Sequence, residues 1–155
     1  HQIKAVQCGG PSGGCVPEKD LDLIVDFDSM KQFGVIMGSG GMIVLDEMTD
    51  MVHFSKYFMD FCRDESCGKC VPCRVGTVQM SRLLERIDRG AGSLQDLDRL
   101  IELGELLQQA SLCGLGQAAP NPVLGSLRHF RSEFLAKIDR QQQGMKDLSH
   151  LILPS

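Results

Sequence analysis

The chain has 155 residues, of which 43% are hydrophobic and 23% are charged, and its formal net charge at pH 7 is −4. This composition is ordinary for a soluble globular protein, and the length allows one compact domain, or a small domain with part of another. The negative charge and the absence of any five-residue basic run argue against binding along a nucleic-acid backbone. No apolar stretch approaches the roughly 20 residues of a membrane-spanning helix, and no secretory signal is visible. We therefore expect a cytoplasmic protein without membrane insertion, at most peripheral to a membrane complex.

Residues 1–48 are predicted to be rich in strands and turns. Short apolar or alternating runs, which favour strands, lie at residues 3–6, 21–27, 35–37 and 42–45. Glycine-rich segments at 9–14 and 38–41 separate some of these runs and predict turns, because glycine reaches positive φ without steric cost. The chain begins at His1 rather than at Met, so we expect further sequence to precede this region.

From residue 49 on, apolar residues recur about every 3.6 positions, which predicts four helices. The first is expected to have its cap at Thr49 or Asp50, with an apolar face formed by Met51, Phe54, Phe58 and Phe61. The second is expected to follow a cysteine-rich segment and to end at Gly90. The third is predicted to begin with a capping box of Ser93 and Asp96.

The fourth helix is predicted to begin at Pro122, with Asn121 as its cap. Its apolar residues form one continuous stripe that comprises Val123, Leu127, Phe130, Phe134 and Ile138. Four helices with short connections favour an antiparallel bundle, which we assign to residues 49–140. Residues 141–155 are predicted to form a loosely held C-terminal tail.

Four of the seven cysteines form a metal-binding pattern. Three recur at every third position and the fourth lies 40 residues further on; they are Cys67, Cys70, Cys73 and Cys113. Disulfide frameworks are typical of small secreted chains, so we expect thiolates in a reducing compartment. A [4Fe–4S] cluster is held by four cysteine thiolates, and two successive C-x-x-C steps wrap around one end of it. We therefore predict that all four bind a [4Fe–4S] cluster that transfers electrons, and we predict no catalytic residue.

Zinc is the main alternative for this pattern. Structural zinc sites usually take their ligands as two separated pairs, whereas no second ligand lies near Cys113 in the sequence. The three-plus-one division therefore favours the cluster. A zinc-stapled interaction domain without redox function remains the alternative of a different class, and a domain that senses oxidants by losing its cluster is a third.

Several neighbours are expected to serve the site. Three glycines are expected to let the backbone approach the sulfurs closely: Gly68, Gly114 and Gly116. Pro72 is expected to stiffen the loop. Lys69 and Arg74 either tune the reduction potential or are solvated surface charges.

The other three cysteines lie outside this pattern. Cys62 follows Phe58 by four positions on the first helix, which favours a small buried apolar side chain. Cys8 and Cys15 flank the first glycine-rich segment. They are either free thiols, which we favour, or a redox pair.

The segments 65–74 and 111–116 closely resemble the family of NADH-binding flavoprotein subunits, which includes those of respiratory complex I and of NAD-reducing hydrogenases. The resemblance covers roughly residues 5–140. It implies an FMN- and NADH-binding domain upstream, then a ubiquitin-like β-grasp domain, then a four-helix bundle that holds the cluster. By this resemblance, residues 1–48 are the C-terminal part of a β-grasp (SLBB-like) domain, and the fold class is α+β.

The resemblance also implies a function and partners. Hydride passes from NADH to FMN, and electrons then leave singly through the cluster to a [2Fe–2S] thioredoxin-like subunit and a further iron–sulfur subunit. The segments at 9–15, 37–41 and 116–122 look more like the hydrogenase and formate dehydrogenase relatives than like the respiratory subunit. Because no further cysteine run follows Cys113, we favour an NAD-reducing hydrogenase; respiratory complex I, a bifurcating hydrogenase and an NAD-dependent formate dehydrogenase are alternatives. The flavin loop and nucleotide-binding residues of the family have no counterpart here, so this chain alone is expected not to oxidise NADH.

Overall fold

Three strands form an antiparallel sheet in the order β2-β1-β3. The computed structural model describes residues 2–138. The central strand β1 (Ile3–Cys8) pairs with β2 (Gly14–Pro17) on one side and with β3 (Met42–Asp46) on the other. The turn between β1 and β2 contains a 3-10 helix (Gly10–Ser12), and a second one (Glu18–Asp20) follows β2. The strand predicted at residues 3–6, the strand predicted at 42–45 and the first glycine-rich turn are thus confirmed.

Each face of the sheet contributes to an apolar cluster because its residues alternate, although Met42, Ile43 and Val44 of the edge strand β3 are exposed. One face contributes to a cluster that includes Ala5, Cys15, Leu45 and Met51. The other face contributes to a second cluster, which consists of Cys8, Val16, Met30 and Val35. Side chains of neighbouring residues on a strand point to opposite faces, so Ala5 and Cys8 belong to different clusters.

Two of the predicted strands are wrong. Residues 21–25 form a turn and irregular structure, and Phe27–Phe33 is a helix, α1. Asp26 caps this helix by accepting a hydrogen bond from the backbone N–H of Ser29 at 2.7 Å, and Gly34 ends it at φ 89°. Such a cap and such a stop outweigh the alternating pattern. The segment 35–37 is irregular, and its Val35 packs beneath α1.

The first three predicted helices are present, with one change of boundary. They are α2 (Met51–Asp64), α3 (Val71–Asp88) and α4 (Leu94–Ala110). Asp50 caps α2 by accepting from the N–H groups of Val52 and His53, and the capping box of α4 is confirmed. The second helix does not follow the whole cysteine run; it begins at Val71, so that Cys73 lies in its first turn. Phe61 is 45% exposed and does not belong to the buried face of α2.

The predicted fourth helix is divided into two. It forms α6 (Asn121–His129), whose N-cap is Pro120 rather than Asn121, and α7, which is described over residues 131–138. Phe130 separates them and packs against the cluster of the sheet. A short helix, α5 (Gly114–Ala118), which was not predicted, lies between α4 and α6.

Helices α2, α3, α4, α6 and α7 share one apolar core. Its fully buried members include Met59, Met80, Leu84, Leu100, Leu107, Val123 and Phe134. Two glycines let neighbouring helices approach closely, because a Cβ at Gly76 would lie 2.1 Å from Leu107 and one at Gly104 would lie 2.9 Å from Leu124. The tail predicted at 141–155 lies outside the described residues, and none of the helices in residues 2–138 is long and apolar enough to cross a membrane.

Candidate metal centre

All four predicted ligands line one cavity of about 80 Å³, which we name the cysteine cavity. Its walls are completed by Glu65, Ser66, Lys69 and Leu115. Among the cysteines, Cys73 is 4% exposed and Cys70 is half-buried, whereas Cys67 and Cys113 are exposed. The structure therefore brings together residues that lie up to 46 positions apart in the chain.

Helix ends position these four side chains. Cys67 lies in the turn that follows α2, at a bend where Gly68 adopts φ 72°. Cys70 is the N-cap of α3 and Cys73 lies in its first turn. Cys113 is the N-cap of α5, three residues after α4 ends. Because α3 and α4 are consecutive packed helices, the start of the first and the end of the second lie at the same end of the pair.

The donor set of the cysteine cavity is the one that a [4Fe–4S] cluster takes. Such a cluster is held by four cysteine thiolates, and four cysteine side chains line this cavity. Structural zinc sites can also take four cysteines, and residues 2–138 contain no group of three or more His, Cys, Asp or Glu side chains placed to hold a single metal ion. The residues present therefore fit a cluster.

The electrostatics at Cys70 favour a thiolate. The backbone N–H of Leu112 contributes most to lowering the pKa of this thiol below its ordinary value. The backbone N–H of Cys73 and the positive charge of Arg74 act in the same direction. The N-terminal dipole of the 18-residue helix α3 also favours negative charge there. Since the thiolate is the form that binds metals, this thiol is prepared for ligation.

Sequence reasoning missed two serine hydroxyls beside Cys73. Ser66 Oγ lies 3.3 Å from Cys73 Sγ. Ser111 is 4% exposed, and its hydroxyl has no hydrogen-bond partner among the described residues. An orphaned buried donor is costly; Ser111 lies next to the wall of the cysteine cavity without lining it, since Ser111 Oγ and Cys73 Cβ are both near the position of a Cβ at Gly116. The only sequence feature that could have pointed to either serine is its position within two residues of a predicted ligand.

The glycines of the site differ in what they do. A Cβ at Gly116 would lie 2.7 Å from Ser111 Oγ and 3.0 Å from Cys73 Cβ, so the predicted close approach is present there. A Cβ at Gly114 would meet no atom of the described chain within 4 Å. Gly68 serves the turn through its positive φ.

The two nearby cations have defined positions. Lys69 lines the cavity, and Arg74 Nη1 donates to the carbonyl oxygen of Gly68 at 2.8 Å. Arg74 is therefore more than a solvated surface charge, since it also holds the cysteine turn. Whether either residue tunes a reduction potential stays a prediction.

The remaining three cysteines are buried free thiols. Cys62 is 1% exposed, as predicted, and burial is the main cause that raises its pKa to about 11. Cys8 and Cys15 project from opposite faces of the sheet into different apolar clusters. Burial raises the pKa of Cys15 to about 12. The structure thus favours free thiols over a redox pair.

This chain belongs to the family described as the NADH-ubiquinone oxidoreductase-F iron-sulfur binding region, whose model matches residues 53–137, more than half of the chain. It is 50% identical over 137 residues to the HndC subunit of the NADP-reducing hydrogenase of Solidesulfovibrio fructosivorans, covering 88% of this chain and 28% of that protein. It is 34% identical over 139 residues to the F subunit of the NADH-quinone oxidoreductase of Mycobacterium tuberculosis, covering 90% of this chain and 31% of that protein.

The fold has solved relatives as well. A chain of the NAD⁺-reducing [NiFe]-hydrogenase in its H2-reduced state superposes with a TM-score of 0.79 at 31% identity, over 96% of this chain and 27% of that one. A chain of the same enzyme in its air-oxidised state also gives a TM-score of 0.79 at 35% identity, and the match covers 88% of this chain and 24% of that one. The chain is thus homologous to subunits of NADH-dependent oxidoreductases and hydrogenases, and it spans less than a third of the length of these two relatives.

Proposed function

We propose that this chain is an electron-transfer module that holds a [4Fe–4S] cluster. The proposed ligands are Cys67, Cys70, Cys73 and Cys113. The observation that supports this most strongly is the single cavity lined by all four thiols. The membership of the chain in an iron–sulfur-binding family supports the same assignment.

The division into domains is part of the proposal. Residues 1–48, which contain the three-stranded sheet, are the C-terminal part of a β-grasp (SLBB-like) domain. Residues 49–140 form an antiparallel four-helix bundle in which α2, α3 and α4 are three members and α6 with α7 is the fourth. In support, His53 near the start of α2 lies 3.1 Å from Asp88 at the end of α3, as antiparallel packing requires.

The bound cluster would accept one electron and release one electron at a time. The residues of this chain would hold it, exclude water from the Cys73 side and supply hydrogen-bond donors to its sulfurs. The electrons are proposed to come from an FMN that takes hydride from NADH in an upstream domain. Without that domain, this chain alone is expected to be inactive with NADH.

The parent complex that we propose is an NAD(P)-reducing hydrogenase. The 50% identity to a hydrogenase subunit exceeds the 34% identity to the mycobacterial NADH-quinone oxidoreductase. The proposed partners are other subunits of a multi-subunit redox complex, including a [2Fe–2S] thioredoxin-like subunit and a further iron–sulfur subunit. Respiratory complex I, a bifurcating hydrogenase and an NAD-dependent formate dehydrogenase are the alternative parents.

Anaerobic purification with metal analysis tests this function. We expect a brown protein with about four iron and four sulfide ions per chain and an EPR signal that develops when the protein is reduced with dithionite. A colourless protein that contains one zinc ion per chain would instead establish the zinc-stapled interaction domain. A cluster that is lost within minutes in air, with an exposed site, would favour the oxidant sensor.

A further inference from the structure

We propose that the Ser66 hydroxyl donates a hydrogen bond to the Cys73 sulfur and thereby raises the reduction potential of the cluster. This inference rests on the proposed function, because it concerns a ligand of the proposed cluster. It assigns to Ser66 the role of a tuning and positioning residue. The residue is half-buried in the wall of the cysteine cavity.

The direction of the hydrogen bond follows from the chemistry of the ligand. Ser66 Oγ and Cys73 Sγ are 3.3 Å apart. A cysteine that binds iron is a thiolate and carries no proton, so the sulfur can only accept. The hydroxyl, which has one hydrogen, must then be the donor.

A second hydrogen bond orients this hydroxyl. The backbone N–H of Gly68 donates to Ser66 Oγ at 3.3 Å. That N–H uses one of the two acceptor lone pairs of the oxygen and leaves the hydroxyl hydrogen free to point towards the sulfur. On the other side of Gly68, the Arg74 guanidinium donates to the Gly68 carbonyl oxygen at 2.8 Å. Gly68 is therefore held through both its N–H and its carbonyl group, which fixes the turn that carries Ser66.

The position of Cys73 makes this donor effective. Cys73 is 4% exposed, whereas Cys67 and Cys113 are exposed and open to water. A hydrogen bond is stronger where the local dielectric is low. Ser66 thus serves the ligand sulfur that solvent reaches least.

The sign of the effect follows from charge. Reduction adds one electron to the cluster, and part of the added negative charge is carried by the thiolate sulfurs. A hydroxyl dipole directed at one of these sulfurs stabilises the reduced state more than the oxidised state, and hydrogen bonds to sulfurs are an established determinant of cluster potentials. Removal of the hydroxyl should therefore make the potential more negative.

The test is a redox titration of the cluster-loaded chain, with dithionite as reductant, redox mediators and EPR detection. Ser66→Ala is expected to lower the one-electron equilibrium constant for reduction by up to about tenfold, which corresponds to about 59 mV. Ser66→Thr, which keeps the hydroxyl, should have a reduction potential close to that of the wild-type chain. An unchanged potential in Ser66→Ala at full cluster content would overturn the proposal.

Ser126→Ala is the matched control. Ser126 is a fully buried serine of α6 whose hydroxyl has no partner among the described residues, and it does not line the cysteine cavity. This control should leave the potential unchanged. A shift of the same size in Ser126→Ala would show that loss of any buried hydroxyl has this effect, and the proposal would fail.

Iron and sulfide content, measured first, separates this inference from the proposed function. If the wild-type chain binds no cluster, the proposed function fails. If wild-type and Ser66→Ala chains bind it equally and have the same potential, only the role of Ser66 fails. If Ser66→Ala binds no cluster, ENDOR spectroscopy of the reduced wild-type chain tests the hydrogen bond directly. We then expect a coupling between the cluster and the exchangeable Ser66 hydroxyl proton, and this coupling should disappear in D2O. Absence of such a coupling overturns the proposal.

Discussion

The two ends of the helical part are held together in different ways. At one end, Lys137 of α7 forms ion pairs with Asp50 at 2.6 Å and with Asp88, which join the start of α2 to the end of α3. At the other end, four thiols surround an 80 Å³ cavity between the starts of α3 and α5. At the first end, the charged side chains form ion pairs with one another. The second leaves a buried hydroxyl at Ser111 without a partner in the described residues.

This difference teaches where the protein depends on something besides its own side chains. Buried polar groups are normally satisfied, and the Lys137 end follows that rule. The cysteine end departs from it at Ser111, as α6 does at Ser126; the cysteine end also presents hydrogen-bond donors and a lowered thiol pKa around a cavity. Local departures of this kind are expected at functional sites. Variants and treatments that act on one end at a time test that contrast.

The largest effect is expected from loss of one ligand. Cys113→Ser should abolish the [4Fe–4S] cluster or convert it to a smaller one, because Cys113 is the one thiol of the four that lines the cavity from the α4–α5 side. Cys62→Ser, the matched control at a buried free thiol, should keep full iron and sulfide content. Equal cluster content in both variants would contradict the ligand assignment.

Removal of the cluster should loosen only one end of the molecule. After treatment with ferricyanide and a chelator, we expect faster amide hydrogen exchange at residues 65–74 and 111–118. Exchange should stay slow around Asp50 and Asp88, whose ion pairs with Lys137 contain no metal. Mass spectrometry of the exchanged peptides measures both regions, and equal acceleration at the two ends would remove the contrast.

A smaller effect is expected from crowding the cavity wall. Gly116→Ala places a Cβ 2.7 Å from Ser111 and 3.0 Å from Cys73, and overpacking of this kind costs about 1–3 kcal/mol. We expect a lower Tm and reduced cluster content. Gly125→Ala on α6 is the control, since its Cβ would meet its nearest neighbour at 3.8 Å, and the helix preference of alanine should leave the Tm unchanged or raise it. If both variants behave alike, the close approach at Gly116 is unimportant.

The smallest effect is expected at the Lys137 end, and it depends on pH. Burial raises the pKa values of Asp50 and Asp88, but the hydrogen bonds and charge of Lys137 outweigh it together with hydrogen bonds from Val52 and His53, so that both pKa values lie below the ordinary value. Carboxylates with depressed pKa values in the folded state stabilise it above the unfolded pKa near 4, and this contribution is lost as the pH falls through the folded values.

Lys137→Met should therefore destabilise the chain at pH 7 and do so less at pH 3. Urea unfolding at the two pH values measures the difference. Leu135 is part of the same helix but packs against the apolar core, so Leu135→Met serves as a control without a pH-dependent effect. A pH-independent loss of stability in Lys137→Met would show that its packing, rather than its charge, matters.

Local signals in the sequence predicted much of this fold. Asp50 as the cap of α2 and the capping box of Ser93 and Asp96 are both present, because a cap depends on residues only two or three positions away. The prediction failed where local signals conflicted. Residues 21–27 alternate like a strand, yet Asp26 and Gly34 delimit the helix α1.

The divided fourth helix shows a different limit. Val123, Leu127, Phe134 and Ile138 are buried as one stripe predicts, but Phe130 packs against the sheet. The apolar period does not distinguish one long helix from two helices that serve different cores. Only the packing of the sheet against the helices makes that distinction.

The sequence by itself determined the choice of candidate ligands, because the spacing of Cys67, Cys70, Cys73 and Cys113 is a local and specific pattern. It also separated these four from the buried thiols Cys8, Cys15 and Cys62. The tertiary structure decided what surrounds them. Ser66, Gly68 and Arg74 act through contacts across a turn, and Ser111 and Gly116 act through contacts between helix ends. The turn contacts join residues at most seven positions apart but leave no pattern of residue types in the sequence. The contacts between helix ends depend on how the helices pack, and packing is a property of the whole chain.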